Sequence, residues 1–329
     1  MTTSEQMRQW HGPAIFTYGF RPFFLFGALW AAVAMVLWIL MLSDVVQLPT
    51  RLDPVSWHAH EFLFGYLGAV IAGFLLTAVP NWTGRLPVVG WQLAGLFFLW
   101  VAGRALLAVS ELLPQGLPEL VDLLFPCVLA AVILREIIAG KNWRNLVVLA
   151  LLAAFTVANA VFHLEAARGE YAAQGFGLRG GVATVVMMIS LIGGRIVPSF
   201  TRNWLVKAGI KSLPTPPMRK FDKLTLLATL VALLCWVAWP SSFEAGAALC
   251  IAGVLQLVRL MRWKGQHTTS EPLLAVLHIA YFLVPLGALA EGFALLYPEV
   301  MPPVGAQHIW MAGAFVLMTL AVMARATLG

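Results

Sequence analysis

Ten long apolar runs constrain the fold of this chain more than any other feature of its sequence. Each run has roughly the 20 residues that a helix needs to cross the hydrocarbon of a bilayer, and turn-forming residues separate the runs. They are residues 22–42, 56–80, 88–110, 117–138, 145–166, 178–198, 222–240, 243–262, 272–296 and 304–326. A composition of 60% hydrophobic and 11% charged residues excludes a soluble domain. We therefore predict an all-α, polytopic integral membrane protein that forms a single transmembrane helical domain over residues 1–329.

The basic residues predict how these spans are oriented. If successive spans alternate in direction, the Lys and Arg residues fall on the side of the N-terminus, except for Arg51, Arg168 and Arg179 on the opposite side and Arg104 inside a span. Because basic residues accumulate on the cytoplasmic side of membrane proteins, both termini are predicted to be cytoplasmic. The net charge of +6 follows this topology, so we expect no nucleic-acid partner.

One basic segment between the spans is long enough to have a role of its own. Residues 199–221 contain several Lys and Arg residues together with the run Pro214-Thr215-Pro216-Pro217. We predict a cytoplasmic loop that is attracted to anionic lipid headgroups, with a regulatory role as the alternative.

Histidine and glutamate begin the second span. Asp53 has the chemistry of an N-cap and Pro54 that of a first helical residue, which places His58, His60 and Glu61 in the first two turns. At about 100° per residue, His58 and Glu61 share a side of the helix while His60 points away from His58. This geometry favours two neighbouring sites, or one site reached from a frayed helix start. Metal or haem ligation is the leading explanation for such residues at a membrane boundary.

Further histidines come from other spans. His163 closes the fifth span and His308 opens the tenth on the same outer face, so three spans place histidines at one depth. We predict metal ligation there, with hydrogen bonding to lipid headgroups as the alternative; haem and copper both suit imidazole ligands. His278 differs, because it lies two turns inside the ninth span and about 20 Å along the helix from Glu291.

Arg104 is the basic residue inside a span, where a charge is costly. From the sequence it could pair with Asp122 or Glu291, or hold a haem propionate. These alternatives stay open at this point.

Several sequence segments resemble the NnrS family. They are Gly19-Phe20-Arg21-Pro22-Phe23-Phe24, Trp57-His58-Ala59-His60-Glu61, the run from Ala72 to Gly84, Gly193-Gly194-Arg195-Ile196-Val197-Pro198 and the run from Met318 to Gly329. The segments span nearly the whole chain and occur in the family's order.

The resemblance implies a bacterial inner-membrane protein that contains haem, expected to be b-type, and copper, and that is made in response to nitric oxide. His58, His60 and Glu61 match the family's Trp-His-Ala-His-Glu element, and His163, His278 and His308 are similar to its other intramembrane histidines. Members of the family usually continue with a further histidine and about two more spans, so we expect either a shortened chain or a ten-span variant.

Three functions are consistent with these observations. The first is a haem-copper protein that binds or turns over nitric oxide or a related nitrogen oxide, with the five histidines as ligands. In it, Glu61 or Glu291 handles protons, and Arg104 or Arg195 balances propionate charge. The second is a transporter or metal-handling carrier, since ten spans divide into two sets of five. The third is a haem-based sensor without turnover. Membrane lipids are expected around all three.

Overall fold

The computed structural model describes residues 10–84 and 87–328, and the described residues are mostly helical and contain no strand. Within them, ten helices are long and apolar enough to cross a membrane, as predicted. These are α1 (Phe20–Leu42), α2 (Pro54–Thr83), α3 (Trp91–Ala108), α4 (Leu117–Ala139), α5 (Trp143–Ala167), α6 (Phe176–Lys207), α7 (Lys220–Ala238), α8 (Phe243–His267), α9 (Pro272–Leu296) and α10 (Pro303–Thr327). The chain is therefore a multi-pass membrane protein. Arg8, Arg85 and Gly329, which belong to the orientation and family arguments, lie outside the described residues.

The basic segment predicted as the loop 199–221 begins as helix. α6 continues through Pro198 to Lys207, so the non-helical stretch begins only at Ala208. Pro198 lacks a backbone N–H group and so removes one hydrogen-bond donor from the helix. In the next turn, the Thr201 hydroxyl donates to the Val197 carbonyl at 2.8 Å. Thr201 and Leu205 are buried, so packing stabilises this extension.

Contacts divide the chain into two compact units, Met1–Gly181 and Val182–Gly329. The first unit contains α1 to α5, and its main helix pairs are α1 with α2, α2 with α4, α3 with α4, and α4 with α5. Its core includes Trp57, which packs with Trp30 and Trp38 of α1. The second unit contains most of α6 and α7 to α10, with α8 and α9 packed most extensively. Its core includes Trp263, Tyr281 and Val197. The single transmembrane domain stays a prediction.

Helix α2 begins as the sequence predicts. The Asp53 carboxylate accepts hydrogen bonds from the backbone N–H groups of Val55 and Ser56, each at 3.0 Å, and Pro54 is the first helical residue. The cap fixes where α2 starts and therefore where His58, His60 and Glu61 lie along it.

Three of the described helices contain a π-helical turn. These turns are Glu61–Tyr66 in α2, Ile189–Gly193 in α6 and Ile309–Phe315 in α10. A π-helical turn adds one residue to the helix and shifts the side chains that follow it around the axis, and such turns are frequent at functional sites. The turn in α2 begins directly after His60.

Candidate metal centre

His60, Asp122 and His163 lie together in the first unit. The three side chains come from α2, α4 and α5, and one ligand atom from each lies within 4.8 Å of the others. The Asp122 Oδ2 atom is 3.3 Å from His60 Nε2 and 2.9 Å from His163 Nε2. Metal bonds of 2.0–2.1 Å in tetrahedral geometry place neighbouring ligand atoms about 3.3 Å apart. The two spacings to Asp122 therefore match a metal site, and the ligand atoms of His60 and His163 lie within 4.8 Å of each other.

Helix packing and burial shape this group. All three residues are buried, and His60 is fully enclosed. Phe64 and Phe162 pack against the His60 ring, with ring centroids 5.3 Å away in both cases. Buried apolar walls exclude water, so an ion held here would be bound by protein ligands.

An arginine and a second carboxylate adjoin the group. Arg104 of α3 donates to both carboxylate oxygens of Glu61, at 2.8 and 2.9 Å, and forms a close ion pair with Asp122. Trp30 donates to Glu61 as well, at 2.7 Å. Arg104 thus pairs with Asp122, one of the partners considered for it, and also with Glu61; its role toward a haem propionate stays a prediction. With neutral histidines, the two carboxylates and one guanidinium sum to a net charge of −1.

The hydrogen-bond partners of His60 are all acceptors. Its Nδ1 faces Glu61 Oε1 at 3.1 Å, and its Nε2 faces Asn159 Oδ1 at 3.0 Å, while the Asn159 amide donates to Asp122 at 2.7 Å. A neutral imidazole has one N–H and so cannot satisfy acceptors on both sides. A proton or a metal ion beside Nε2 would give the second acceptor a positive partner. It would also offset the negative net charge of the group.

A small cavity adjoins the group. Asp122 and Asn159 contribute to its lining, and the other lining residues are apolar, among them Phe64, Phe125 and Phe155. Its volume is about 10 Å³, which is close to the minimum for one water molecule. A larger molecule, diatomic ones included, would enter only with movement of the neighbouring aromatic rings.

His58 contacts a tryptophan of α1. Its ring stacks on Trp38 of α1, with the centroids 3.9 Å apart and the planes 14° from parallel. The expectation that His58 and His60 point in different directions therefore agrees with the structure. Glu61 contacts its neighbour His60, which regular helical geometry does not predict, and the π-helical turn begins at this point.

The remaining predicted site residues belong to the second unit. His278 Nε2 lies 2.8 Å from the Thr201 hydroxyl, and exposed His308 has its Nδ1 2.6 Å from the Val304 carbonyl. Glu291 accepts from Trp236 at 2.9 Å through Oε1, and its buried Oε2 has no partner among the described residues. Arg195 is half-buried, and its Nε likewise lacks a described partner. Their roles as ligands or proton carriers stay predictions.

Asp122 and the adjoining Asn159 were not predicted as site residues. From the sequence, Asp122 was considered only as a partner for Arg104. The signal for Asp122 was its charge inside an apolar span, which by default indicates function.

A family model described as NnrS protein matches residues 14–329. The chain belongs to the NnrS family. Searches of curated proteins and of solved structures found no match for it.

The resemblance implies two cofactors, haem and copper, and the side chains of His60, Asp122 and His163 suit them differently. Two imidazoles and a carboxylate suit copper, zinc or iron ions. Haem does not fit between His60 and His163, because ring centroids 4.7 Å apart are too close to hold an iron atom from opposite faces of a macrocycle. The group is therefore a candidate site for a single metal ion.

Proposed function

We propose that this NnrS protein binds a copper ion at His60, Asp122 and His163 and acts in the bacterial response to nitric oxide from the inner membrane. One observation carries the proposal: three buried side chains with suitable ligand atoms lie within 4.8 Å of one another. The choice of copper as the metal, and of nitric oxide as the molecule to which the cell responds, comes from the family resemblance.

Each residue has a role in this proposal. The ion is held by the Nε2 atoms of His60 and His163 and by Oδ2 of Asp122. Arg104 orients the Asp122 carboxylate through its Oδ1 atom, and it also orients Glu61. A hydrogen bond to the second nitrogen of a ligand histidine fixes its tautomer, and Glu61 supplies that bond to His60 Nδ1. When bound, copper supplies one-electron chemistry and an affinity for small diatomic ligands.

The apolar cavity supports nitric oxide as the ligand. Nitric oxide is small, neutral and weakly polar, and the space beside Asp122 and Asn159 is apolar for most of its wall. Its admission would require the neighbouring aromatic rings to move. Larger nitrogen oxides such as nitrite carry a charge that this wall would not solvate.

Metal analysis of the purified protein tests the site. Chelator-treated protein is loaded with Cu²⁺, and bound copper is measured by mass spectrometry and by electron paramagnetic resonance. We expect about one copper per chain with nitrogen hyperfine structure in the wild type. We expect loss of that signal in His60→Ala and His163→Ala but not in His11→Ala, whose histidine is exposed. Equal copper in His163→Ala and wild type would exclude the site.

Survival of cells tests the physiological part. A strain without its own copy of the gene is exposed to a nitric-oxide donor while it expresses each variant at equal membrane levels. The wild type and His11→Ala should restore growth, and His163→Ala should not. Restoration by all three would show that protection does not depend on this group.

A metal-handling carrier is the second candidate. The division of the chain into two compact units, each with five of the spans, is the observation that favours it. Copper flux into vesicles by the wild type, with no tightly held ion after purification, would select this function over the first.

A further inference from the structure

The Asn159 side chain connects two of the residues proposed to hold copper. Asn159 lies on α5 one turn before His163, so the two side chains share a face of the helix. Its Oδ1 atom is 3.0 Å from His60 Nε2, and its amide nitrogen donates to Asp122 Oδ2 at 2.7 Å. The residue is only 2% exposed. The amide is therefore held beside two of the atoms that the proposed copper site uses.

The neighbouring carboxylate determines which atom of the amide faces His60. Asp122 is ion-paired with Arg104 and, as a carboxylate, only accepts hydrogen bonds. The Asn159 atom that lies 2.7 Å from it is therefore the NH₂ group, and the amide oxygen is left facing His60 Nε2. Turning the amide by 180° would place oxygen against oxygen at Asp122. The atom beside the histidine is thus an oxygen with lone pairs that a metal ion can bind.

An ion bonded to His60 Nε2 would meet this oxygen. Imidazole nitrogen binds a metal ion at about 2.0–2.1 Å, and the ligand atoms of a tetrahedral site are about 3.3 Å apart. Two oxygens face Nε2 at close to that spacing, Asn159 Oδ1 at 3.0 Å and Asp122 Oδ2 at 3.3 Å. Both oxygens are therefore placed as ligands of one ion. His163 Nε2, which is 2.9 Å from Asp122 Oδ2, completes the set.

We infer that Asn159 is the fourth ligand of the proposed copper ion, through its Oδ1 atom. The inference rests on the proposed function and extends the site from three side chains to four. The set then contains two imidazole nitrogens and two oxygens, one of which comes from a neutral amide. Oxygen ligands suit Cu²⁺ better than the softer Cu⁺, for which thiolate and thioether sulfur are the selective ligands. Asn159 thus favours the oxidised form of the bound copper.

A loss of copper affinity does not by itself separate a ligand from a residue that orients ligands. Hydrogen-bond partners of metal ligands contribute about 10–100-fold to metal affinity, and Asn159 is such a partner of His60 and Asp122 in either case. A ligand has two further effects. Its removal changes the relative affinity for the two oxidation states, and a nitrogen-bearing replacement at its position adds a nitrogen to the coordination of the ion.

The reduction potential of the bound copper is the first test. The full chain in detergent is loaded with Cu²⁺ and titrated with a reductant, and the remaining Cu²⁺ is followed by electron paramagnetic resonance. Asn159→Leu removes the oxygen and keeps a side chain of similar shape. We expect its Cu²⁺ affinity to fall at least about tenfold more than its Cu⁺ affinity, which raises the reduction potential by at least about 59 mV.

Two further variants are the controls for this measurement. Asn159→Asp keeps an oxygen in the same place, so its reduction potential should stay at or below that of the wild type. Thr156→Val changes the same helix one turn earlier, where the hydroxyl donates to the Leu152 carbonyl at 2.9 Å. It should leave the reduction potential unchanged.

A count of the imidazole ligands is the second test. The Nδ1 atom of a histidine is as many bonds from the backbone as the Oδ1 atom of an asparagine, so Asn159→His exchanges the oxygen ligand for a nitrogen. Pulsed electron paramagnetic resonance of the Cu²⁺ form should detect two imidazoles in the wild type and three in Asn159→His.

Either test can overturn the inference. An unchanged reduction potential in Asn159→Leu would do so, and so would copper-loaded Asn159→His with only two imidazoles. If Asn159→His does not fold, the comparison of Asn159→Leu with Asn159→Asp still decides the outcome.

Failure of the fourth ligand differs from failure of the proposed copper site. Wild-type protein without copper, or full retention of copper in His163→Ala, would contradict the copper site and this inference together. Copper that is lost in His163→Ala, but whose reduction potential is the same in Asn159→Leu and in the wild type, would contradict the fourth ligand alone.

Discussion

Arg104 is held between two carboxylates that come from different helices. Its guanidinium bonds Glu61 at 2.8 and 2.9 Å and pairs closely with Asp122, and all three side chains are buried. Inside a membrane-spanning unit, such a charge is tolerated because its partners are fixed around it. The residue links α2, α3 and α4 and also orients two of the groups beside the proposed ion.

Replacing Arg104 with methionine should strongly destabilise the protein. Arg104→Met leaves two buried carboxylates without their counter-charge, and breaking a buried pair in this way lowers the free energy of unfolding by about 3–5 kcal/mol. Unfolding by dodecyl sulfate in mixed micelles, followed by circular dichroism, measures the change. The matched control is Arg51→Met, whose partner Glu119 is 3.7 Å away in a partly exposed pair and whose loss should amount to less than about 1 kcal/mol. Similar losses in the two variants would contradict this assignment.

At the residue scale, the sequence predicted the residue types in the candidate group better than its members. His60 and His163 followed from imidazoles placed at one depth by the hydropathy pattern. Asp122 entered only as a possible partner of Arg104, because depth along a span does not say which faces of three helices meet. His278 and His308 share the histidine signal, yet their nearest polar partners are Thr201 and Val304.

At the scale of the helix, the start of α2 was predictable and its later course was not. Asp53 and Pro54 are local signals, since a capping carboxylate and a proline act on the backbone beside them. The π-helical turn at Glu61–Tyr66 has no such local signature, and a calculation at a constant angle per residue does not anticipate the contact between His60 and Glu61. Glu61, the first residue of this turn, is held by tertiary contacts from Trp30 and Arg104, which lie far away in the sequence.

The cap of α2 gives a prediction at this scale. Asp53→Ala removes the acceptor for two backbone N–H groups and should lower the free energy of unfolding by about 1 kcal/mol. Asp53→Asn keeps an acceptor oxygen in the same place and should remain close to the wild type. Dodecyl sulfate titration of the three proteins side by side measures the difference. An asparagine variant as weak as the alanine variant would show that capping is not the role of Asp53.

For the molecule as a whole, the apolar runs predicted ten membrane-spanning helices. The described part of the structure has ten helices that are long and apolar enough to cross a membrane. The main difference in bounds is α6, which was expected to end near Pro198 and reaches Lys207 because its last turns are packed against other helices. The boundary between the two units, inside α6, had no signal in the sequence. Long-range packing determines it, whereas hydropathy records only local composition.

The orientation of the spans is a prediction for the whole molecule. Because Lys and Arg concentrate on one side, both termini should be cytoplasmic. Green fluorescent protein fused after Gly329 should fluoresce, and alkaline phosphatase fused at Gln115, between α3 and α4, should be active. Phosphatase fused at Lys141, one span later, is the control and should be inactive. The opposite pattern at Gln115 and Lys141 would reverse the topology.

The three π-helical turns have a consequence for the gene. Removing one codon inside Glu61–Tyr66, Ile189–Gly193 or Ile309–Phe315 returns the helix to regular α-helical winding without interrupting it. The turn absorbs its extra residue locally, so side chains beyond the deletion keep nearly the direction that they have in the wild type, and those inside the turn are displaced. Such in-frame alleles should still produce inserted protein while disturbing the contacts made from inside the turn, such as those of Glu61. They are a genetic means of separating biogenesis of this membrane protein from its activity.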